Sequence, residues 1–428
     1  MIIKNGTVVD PTQGMEEIGT VYIRGNRIER FVPGEYQPEA ADAEEEVIDA
    51  SGRYVMPGLI DLHVHFRDPG QTYKEDIATG SMAAAAGGVT TVCTMPNTNP
   101  TVDSVQTLDY VIHKAAKEAV IRVEQLSSIT MGENNEELVD VAAMKAAGAV
   151  AFSEDGKSVM NTALFRDGLM KIAEVDGVVM SHCEDRDLVA GGVMNAGPKQ
   201  LELGYPGITN AVEDVIAARD IFMAAEQGVQ LHLCHCSTKG TVELMRMAKR
   251  LGYRVTAEVC PHHFTLTETD IPGDIGNYKM NPPLRSEEDV QALIEGLRDG
   301  IMDVISTDHA PHSEEEKAKG FNSAFGIVGL ETSAALTFTA LVAPGIISMT
   351  RMVELMSSNP AKVIRMDSER GTLKPGALAD VTIFDPNCVW TVEPEKFFSK
   401  GKNTPYAGKT LVGKVTTTIC DGKVVYQG

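Results

Sequence analysis

The sequence predicts an α/β protein: a (β/α)8 TIM barrel over residues 57–366, with a small β-sandwich built from residues 1–56 and 367–428. Three observations carry that expectation. The middle of the chain alternates short apolar runs with stretches whose apolar residues recur at three- and four-residue spacing. Both ends are strand-like and lack that helical spacing. Histidines and aspartates gather where the middle strands should stop, and a barrel of this kind carries its reactive groups at the C-terminal ends of its strands.

At the N-terminal end, MIIKNGTVVD, GTVYIRGNRIERFV and EEVIDASGRYVM are separated by the turn pairs Asn5-Gly6, Gly25-Asn26 and Ser51-Gly52. In the middle, eight strands are expected at 59–65, 90–95, 121–127, 149–153, 178–181, 230–236, 254–258 and 303–307. Helices are expected between them at 76–86, 104–119, 135–146, 164–175, 209–226, 240–250 and 287–300. The strand-like pattern returns in GTLKPGALADVTIFDP, VWTVEP and KVTTTICDGKVVYQG. Chain ends that lie together are common, so the two strand-rich ends are expected to share one unit.

The stretch LIDLHVHFRD opens the chemistry. Side chains two apart on a strand share a face, so His63 and His65 project together, and Arg67 continues the same parity. Strand two ends in Asn97, strand four in Glu154-Asp155, strand five in His182 and Glu184, strand six in His235, and strand eight in Asp308 and His312. Four histidines and two aspartates exceed what one tetrahedral ion takes. They suit two divalent ions sharing a carboxylate and a hydroxide nucleophile. Asp308 could bind one ion, accept a proton from that hydroxide and pass it to a leaving nitrogen. The chemistry implied is metal-assisted attack on a carbonyl with cleavage of a C–N bond. His232 lies three before His235, on the opposite face of a strand, and is expected to pack beside the site. His113 is expected on a helix surface, and His262, His263, Glu184 and Asp68 in supporting or solvated positions.

Lys and Arg number 38 against 60 Asp and Glu, a net charge of −22, which argues against nucleic acid or an anionic membrane as partner. Seven cysteines, an odd count set mostly in apolar runs, read as free buried thiols of a reducing compartment. No basic, apolar leader opens the chain, and no apolar run approaches the roughly 20 residues that span a bilayer. A cytoplasmic protein is expected.

PGLIDLHVHFRDPG, CTMPNTNP, AFSEDG, YKMNPPLR and STDHAPH resemble the amidohydrolase superfamily and, within it, the bacterial type I dihydroorotase family, over essentially the whole chain. The resemblance implies reversible conversion of L-dihydroorotate and N-carbamoyl-L-aspartate, a step of pyrimidine synthesis. It implies two Zn2+ ions per subunit held by His63, His65, Asp155, His182, His235 and Asp308, with Asp308 as general acid/base. Arg67, Asn97 and His312 match positions that hold the substrate carboxylate; His65, Asn281 and Phe325-Gly326 match other substrate contacts. An arginine fork suits a carboxylate on physical grounds as well. Related hydantoinases bridge their metals with a carboxylated lysine at the end of strand four. Here Asp155 takes that place, with Lys157 two residues on as the alternative; Glu154 stands where the family pattern has a second aspartate. A homodimer is expected, with aspartate carbamoyltransferase as a possible partner.

Two rival readings follow. One is a hydantoinase or dihydropyrimidinase, whose substrates lack the carboxylate that Arg67, Asn97 and His312 would hold. The other is a non-catalytic partner of aspartate carbamoyltransferase, which the complete ligand set opposes. The polar stretch 313–324, set between His312 and Phe325, is expected to act as a lid.

Overall fold

A computed structural model describes residues 1–428, except the side chains at positions 40 and 41. Strands from both chain ends lie in one hydrogen-bonded sheet. Its order is Lys423–Gln427, Thr410–Cys420, Val381–Thr391, Tyr54–Pro57, Ile2–Asp10, Met15–Arg24 and Arg27–Pro33, with Val47–Asp49 beside Ile2–Asp10. The ends meet where Val381 pairs with Pro57 and Ile383 with Val55, antiparallel. The ladder runs as a single path through both ends. Bulges interrupt its long strands, at Ile3/Gly6 and at Asp385/Val389, and such bulges bend and twist a strand. Ile3, Val21 and Ile28 from one arm share a buried cluster with Val381, Ile383 and Ile419 from the other.

The middle of the chain forms two parallel sheets. Leu59–Val64, Val89–Thr94 and Arg122–Gln125 make one; Ser127–Ser128, Phe152–Ser153, Val178–Ser181, Gln230–Leu233, Val255–Val259 and Val304–Ile305 make the other. Only Leu126 separates the strands ending one sheet and starting the next, and its N–H reaches back to the Thr94 carbonyl. At the opposite edges, Val64 bridges in parallel to His309. Several expected strands, among them 59–65, 230–236 and 303–307, end early at their C-terminal ends, where side chains take over backbone groups. Thr307 N–H, for example, donates to the Asp61 carboxylate at 3.1 Å instead of a neighbouring strand.

Helices fall where the apolar spacing puts them: Ile77–Ala86, Val105–Glu118, Val141–Ala146, Thr162–Glu174, Ala211–Gln227, Lys239–Arg250 and Glu287–Arg298. Asp76, Ser104, Asp140, Asn161, Thr238 and Ser286 cap their N-termini by accepting from first-turn N–H groups. The third helix is shorter than expected, since residues 131–140 are spent on a 3-10 turn and the loop to Asp140. The cysteines are free, and six of the seven are buried. Among the described residues no helix is long and apolar enough to cross a membrane.

Candidate active site

The expected site residues converge. His65, Arg67, Asn97, Asp155, His182, His235, Asn281, Asp308, Phe325 and Gly326 line one cavity of about 170 Å³. His63 and His312 stand just behind its wall, both buried. Three of these residues adopt the left-handed backbone region: Arg67 (φ 58°), His235 (φ 33°) and Asp308 (φ 48°). Each follows the last residue of a short strand, so the turn swings the side chain over the strand ends. Strain of this kind persists only where the surroundings enforce it.

Asp155 sits at the centre. Its Oδ1 lies 3.2 Å from His63 Nε2, 3.8 Å from His182 Nδ1 and 3.9 Å from His235 Nε2. Its Oδ2 lies 3.6 Å from His65 Nε2 and accepts from Asn97 Nδ2 at 2.9 Å. Asp308 Oδ1 lies 3.1 Å from His65 Nε2 and 3.7 Å from His63 Nε2.

Hydrogen bonding fixes which imidazole nitrogens carry lone pairs. His63 Nδ1 faces Glu258 Oε1 at 2.9 Å. A carboxylate only accepts, so Nδ1 carries the proton and Nε2 aims its lone pair at Asp155. His65 Nδ1 donates to Asn97 Oδ1 at 3.0 Å, an orientation the Asn97–Asp155 bond enforces, so its Nε2 lone pair meets Asp308. Lone pairs facing carboxylate oxygens repel unless a cation or proton lies between them. His63 Nε2, Asp155 Oδ1, His182 Nε2 and His235 Nδ1 are all buried without a hydrogen-bond partner. Two overlapping groups, His63–Asp155–His235 and His63–His65–Asp308, have donor atoms spaced to grip an ion. The donor set of imidazoles and carboxylates therefore fits divalent metal. Burial alone would raise the Asp155 carboxyl, but the surrounding His63, His235 and His65 outweigh it and hold it well below the usual range.

Glu258 escaped the sequence reading. It lies within the apolar strand Val255–Val259, and its Oε1 accepts from His63 Nδ1 and from the His235 backbone N–H at 3.1 Å. Its Oε2 lies 3.1 Å from His232 Nε2. Burial opposes its charge, yet hydrogen bonds from His232 and His63 bring its pKa below the usual carboxylate range. A lone acid inside an otherwise apolar strand was the available signal. His232 also faces inward, because its strand ends at Leu233 and the two-sided parity argument stops there.

Arg67 is half-buried, and desolvation lowers its pKa; its guanidinium reaches Pro311 O at 3.4 Å and lies 3.3 Å from His312 Nε2. Lys74, another residue the sequence reading passed over, approaches His312 Nδ1 at 3.3 Å. His312 Nε2 donates to Phe325 O at 2.8 Å. Burial, then Arg67, Lys74 and Lys317, push the His312 pKa down to about 3, so the ring is neutral among three cations. Asn281 donates to Glu184, whose carboxylate lies 3.6 Å from His182 Nε2, so Glu184 supports the site. Glu154 accepts from Thr130 N–H at 3.0 Å and Ile129 N–H at 3.2 Å, anchoring the loop before the third helix. Lys157 turns away from this cluster, donating to Glu133 O at 3.1 Å. Asp68 pairs with Lys114 at 2.7 Å, and His113 is exposed. His263 Nε2 is held by Pro282 O at 2.9 Å, while His262 is buried near the centre. The stretch 313–324 is fastened: Glu316 bonds Lys74 and Tyr73, and Lys317 is buried on three backbone carbonyls. A larger groove of about 520 Å³, lined by Trp390, Phe397 and Tyr426, has no histidine on its walls.

Residues 52–241 match the family model described as dihydro-orotase-like. The chain is 49% identical over its full length to the dihydroorotase of Pelotomaculum thermopropionicum, covering 98% of that protein. It is 47% identical to the dihydroorotase of Clostridioides difficile, with both chains covered in full. Among solved structures it resembles the L-hydantoinase of Arthrobacter aurescens, with a TM-score of 0.89 and 28% identity over 100% of this chain and 96% of that one. The structural likeness reaches hydantoinases as well, whereas identity near one half over the whole length is to dihydroorotases, and on that ground the chain belongs to the dihydroorotase family.

Proposed function

We propose that this protein is a dihydroorotase, a hydrolase of a cyclic amide C–N bond that interconverts L-dihydroorotate and N-carbamoyl-L-aspartate. The observation that carries the reading is the pairing of two sites in one cavity. A buried cluster of histidines and aspartates lies beside a half-buried guanidinium whose donors are largely unspent. Arg67 holds the substrate carboxylate with its fork. Asn97 has one amide hydrogen left after its bond to Asp155, and His312 offers the Nε2–H now donated to Phe325 O. Lys74 and Lys317 add positive charge around this corner. Asn281 and the Phe325–Gly326 backbone face the ring, and His65 abuts both metal group and substrate space.

His63, His65, Asp155, His182, His235 and Asp308 would hold two Zn2+ ions, with Asp155 between them. Bound there, the ions would polarise the ring carbonyl and make hydroxide available near neutral pH. Asp308 Oδ1 takes the proton released as the nucleophile attacks and returns it to the ring nitrogen as the C–N bond breaks. Glu258 keeps the His63 proton on Nδ1, which leaves Nε2 free to bind metal.

We infer also that the two parallel sheets are arcs of one (β/α)8 barrel. In support, Val64 bridges to His309, Leu126 joins the sheets, and Ile60, Cys93, Leu126, Ala151, Met180, Cys234 and Val304 share one cluster. Residues 1–56 and 367–428 would then be one unit and 57–366 the other, in a cytoplasmic homodimer; light scattering of the purified protein tests the dimer.

The deciding assay is hydrolysis of dihydroorotate and of dihydrouracil, before and after chelation and zinc return. Zinc-dependent turnover of dihydroorotate alone is expected. Comparable turnover of dihydrouracil would move the enzyme to the hydantoinase branch.

A further inference from the structure

The loop joining Val381–Thr391 to Thr410–Cys420 does not stay with its sheet. It crosses to the cavity and is fastened along the way. Glu331 accepts from Phe398 and Ser399 N–H, each at 3.1 Å. Ser399 Oγ donates to Glu75 at 2.5 Å, Lys400 Nζ donates to Thr72 O at 2.7 Å, and Tyr406 OH meets Thr265 Oγ1 at 2.5 Å.

This path delivers Asn403, buried at 3% exposure, between two segments of the site. Its Oδ1 accepts from His312 N–H at 3.1 Å. Its Nδ2 donates to Ala310 O at 3.1 Å and to Gly326 O at 3.0 Å, using both amide hydrogens. Its own carbonyl accepts from Val328 N–H at 2.9 Å. The segments it joins begin as a ladder, with His309 bridged to Ile327 and Ala310 N–H bonded to Ile327 O at 2.8 Å. Beyond that point they diverge, and the Asn403 carboxamide supplies the missing rung. Gly326 permits the close approach; its φ is 132°, and a Cβ there would come within 2.6 Å of Ala310 Cβ.

We propose that Asn403 is a positioning residue for substrate binding, setting the distance between His312 and the Phe325–Gly326 backbone from a loop of the terminal sheet. The inference rests on the reading of those residues as substrate contacts. The residue type follows from the partners. An acceptor must meet one N–H while two donors meet two carbonyls, which Asn provides and Asp, Ser or Leu does not. Removing it takes the Asn403 partner from the buried His312 N–H and Ala310 carbonyl, leaves Gly326 O to Lys317 alone, and lets the two segments separate.

The test is steady-state kinetics on zinc-loaded Asn403→Ala, Asn403→Asp and His312→Ala, and on the double variant Asn403→Ala/His312→Ala. Metal content and Tm are measured alongside. Loss of three buried hydrogen bonds in Asn403→Ala, and of two in Asn403→Asp, is expected to raise KM for dihydroorotate about tenfold in each variant. The fall in kcat should be much smaller and metal content unchanged. In the double variant the two KM effects should be less than multiplicative, because both act on one clamp. Asn403→Asp, nearly equal in shape, carries the test if the alanine variant does not fold. Wild-type KM in the Asn403 variants, or multiplicative effects in the double variant, would overturn the inference. Wild-type KM in His312→Ala would overturn the substrate reading itself, and this inference with it.

Discussion

In the cluster of histidines and aspartates, single hydrogen bonds decide the chemistry. His63 and His65 can face carboxylates with their Nε2 lone pairs only because Glu258 and Asn97 hold the protons on Nδ1. Glu258→Gln keeps the shape but allows its amide to donate, which would favour the wrong His63 tautomer. Metal affinity should fall about 10–100-fold, the usual effect of losing such a partner. Competition with a zinc chelator reads this directly, and an unchanged affinity would show that Glu258 does not set the tautomer. Arg67 is the matching case on the substrate side. Arg67→Lys keeps the charge and loses the planar fork. KM for dihydroorotate should rise about tenfold, equivalent to roughly 1.4 kcal/mol, with a smaller change in kcat. A KM equal to wild type would place the carboxylate elsewhere.

The strands do little more than aim these residues. Phe152–Ser153 and Val304–Ile305 are each only two residues long, and the groups after them turn into the cavity through loops. The stretch after His312 shows how such a loop is held. The short helix Glu314–Lys317 opens with a capping box between Ser313 and Glu316. Lys317 Nζ then donates to the carbonyls of Lys279, Ala324 and Gly326 at 3.1, 2.9 and 2.9 Å. A free lid would not bury a lysine at its hinge. Lys317→Met should remove one donor from each of those carbonyls, of which Lys279 O keeps the Gly326 N–H and Gly326 O keeps Asn403 Nδ2, at a cost of about 1 kcal/mol for each bond lost. Limited proteolysis should then cut between 313 and 326 faster than in wild type, and wild-type protein should resist cutting with or without substrate. Equal cutting of variant and wild type would show that the lysine does not hold the loop, and protection by substrate would restore the lid.

Across the whole molecule, buried neutral histidines tie stability to pH. Burial lowers His262 to about 4, and burial with neighbouring cations lowers His312 to about 3, against an ordinary 6.5. Between those values the unfolded chain binds protons that the folded chain refuses, so stability rises with pH there. Their contribution is complete above about pH 6.5 and is lost as pH falls toward the folded values, at about 1.4 kcal/mol per unit for each group. Calorimetry should show Tm falling from pH 7 to pH 5. A flat Tm over that range would mean that the two rings are protonated in the fold or that the site opens.

The sequence by itself determined the alternation of elements and the histidines and aspartates that gather at the strand ends, because these depend on local spacing and on which residue types end each strand. His63, His65, Asp155, His182, His235 and Asp308 are legible in this way, each standing at the end of an apolar run. Tertiary structure alone decided the partners that arrive from distant elements. Glu258 reaches His63 across 195 residues, Asn403 reaches His312 across 91, and Lys74 reaches the same ring across 238. The register of the terminal sheet belongs to the same class, since Val381 finds Pro57 and the shared core forms only when both ends pair. Local periodicity records which face a side chain takes; it carries no record of which distant backbone group will need that side chain's hydrogen bond.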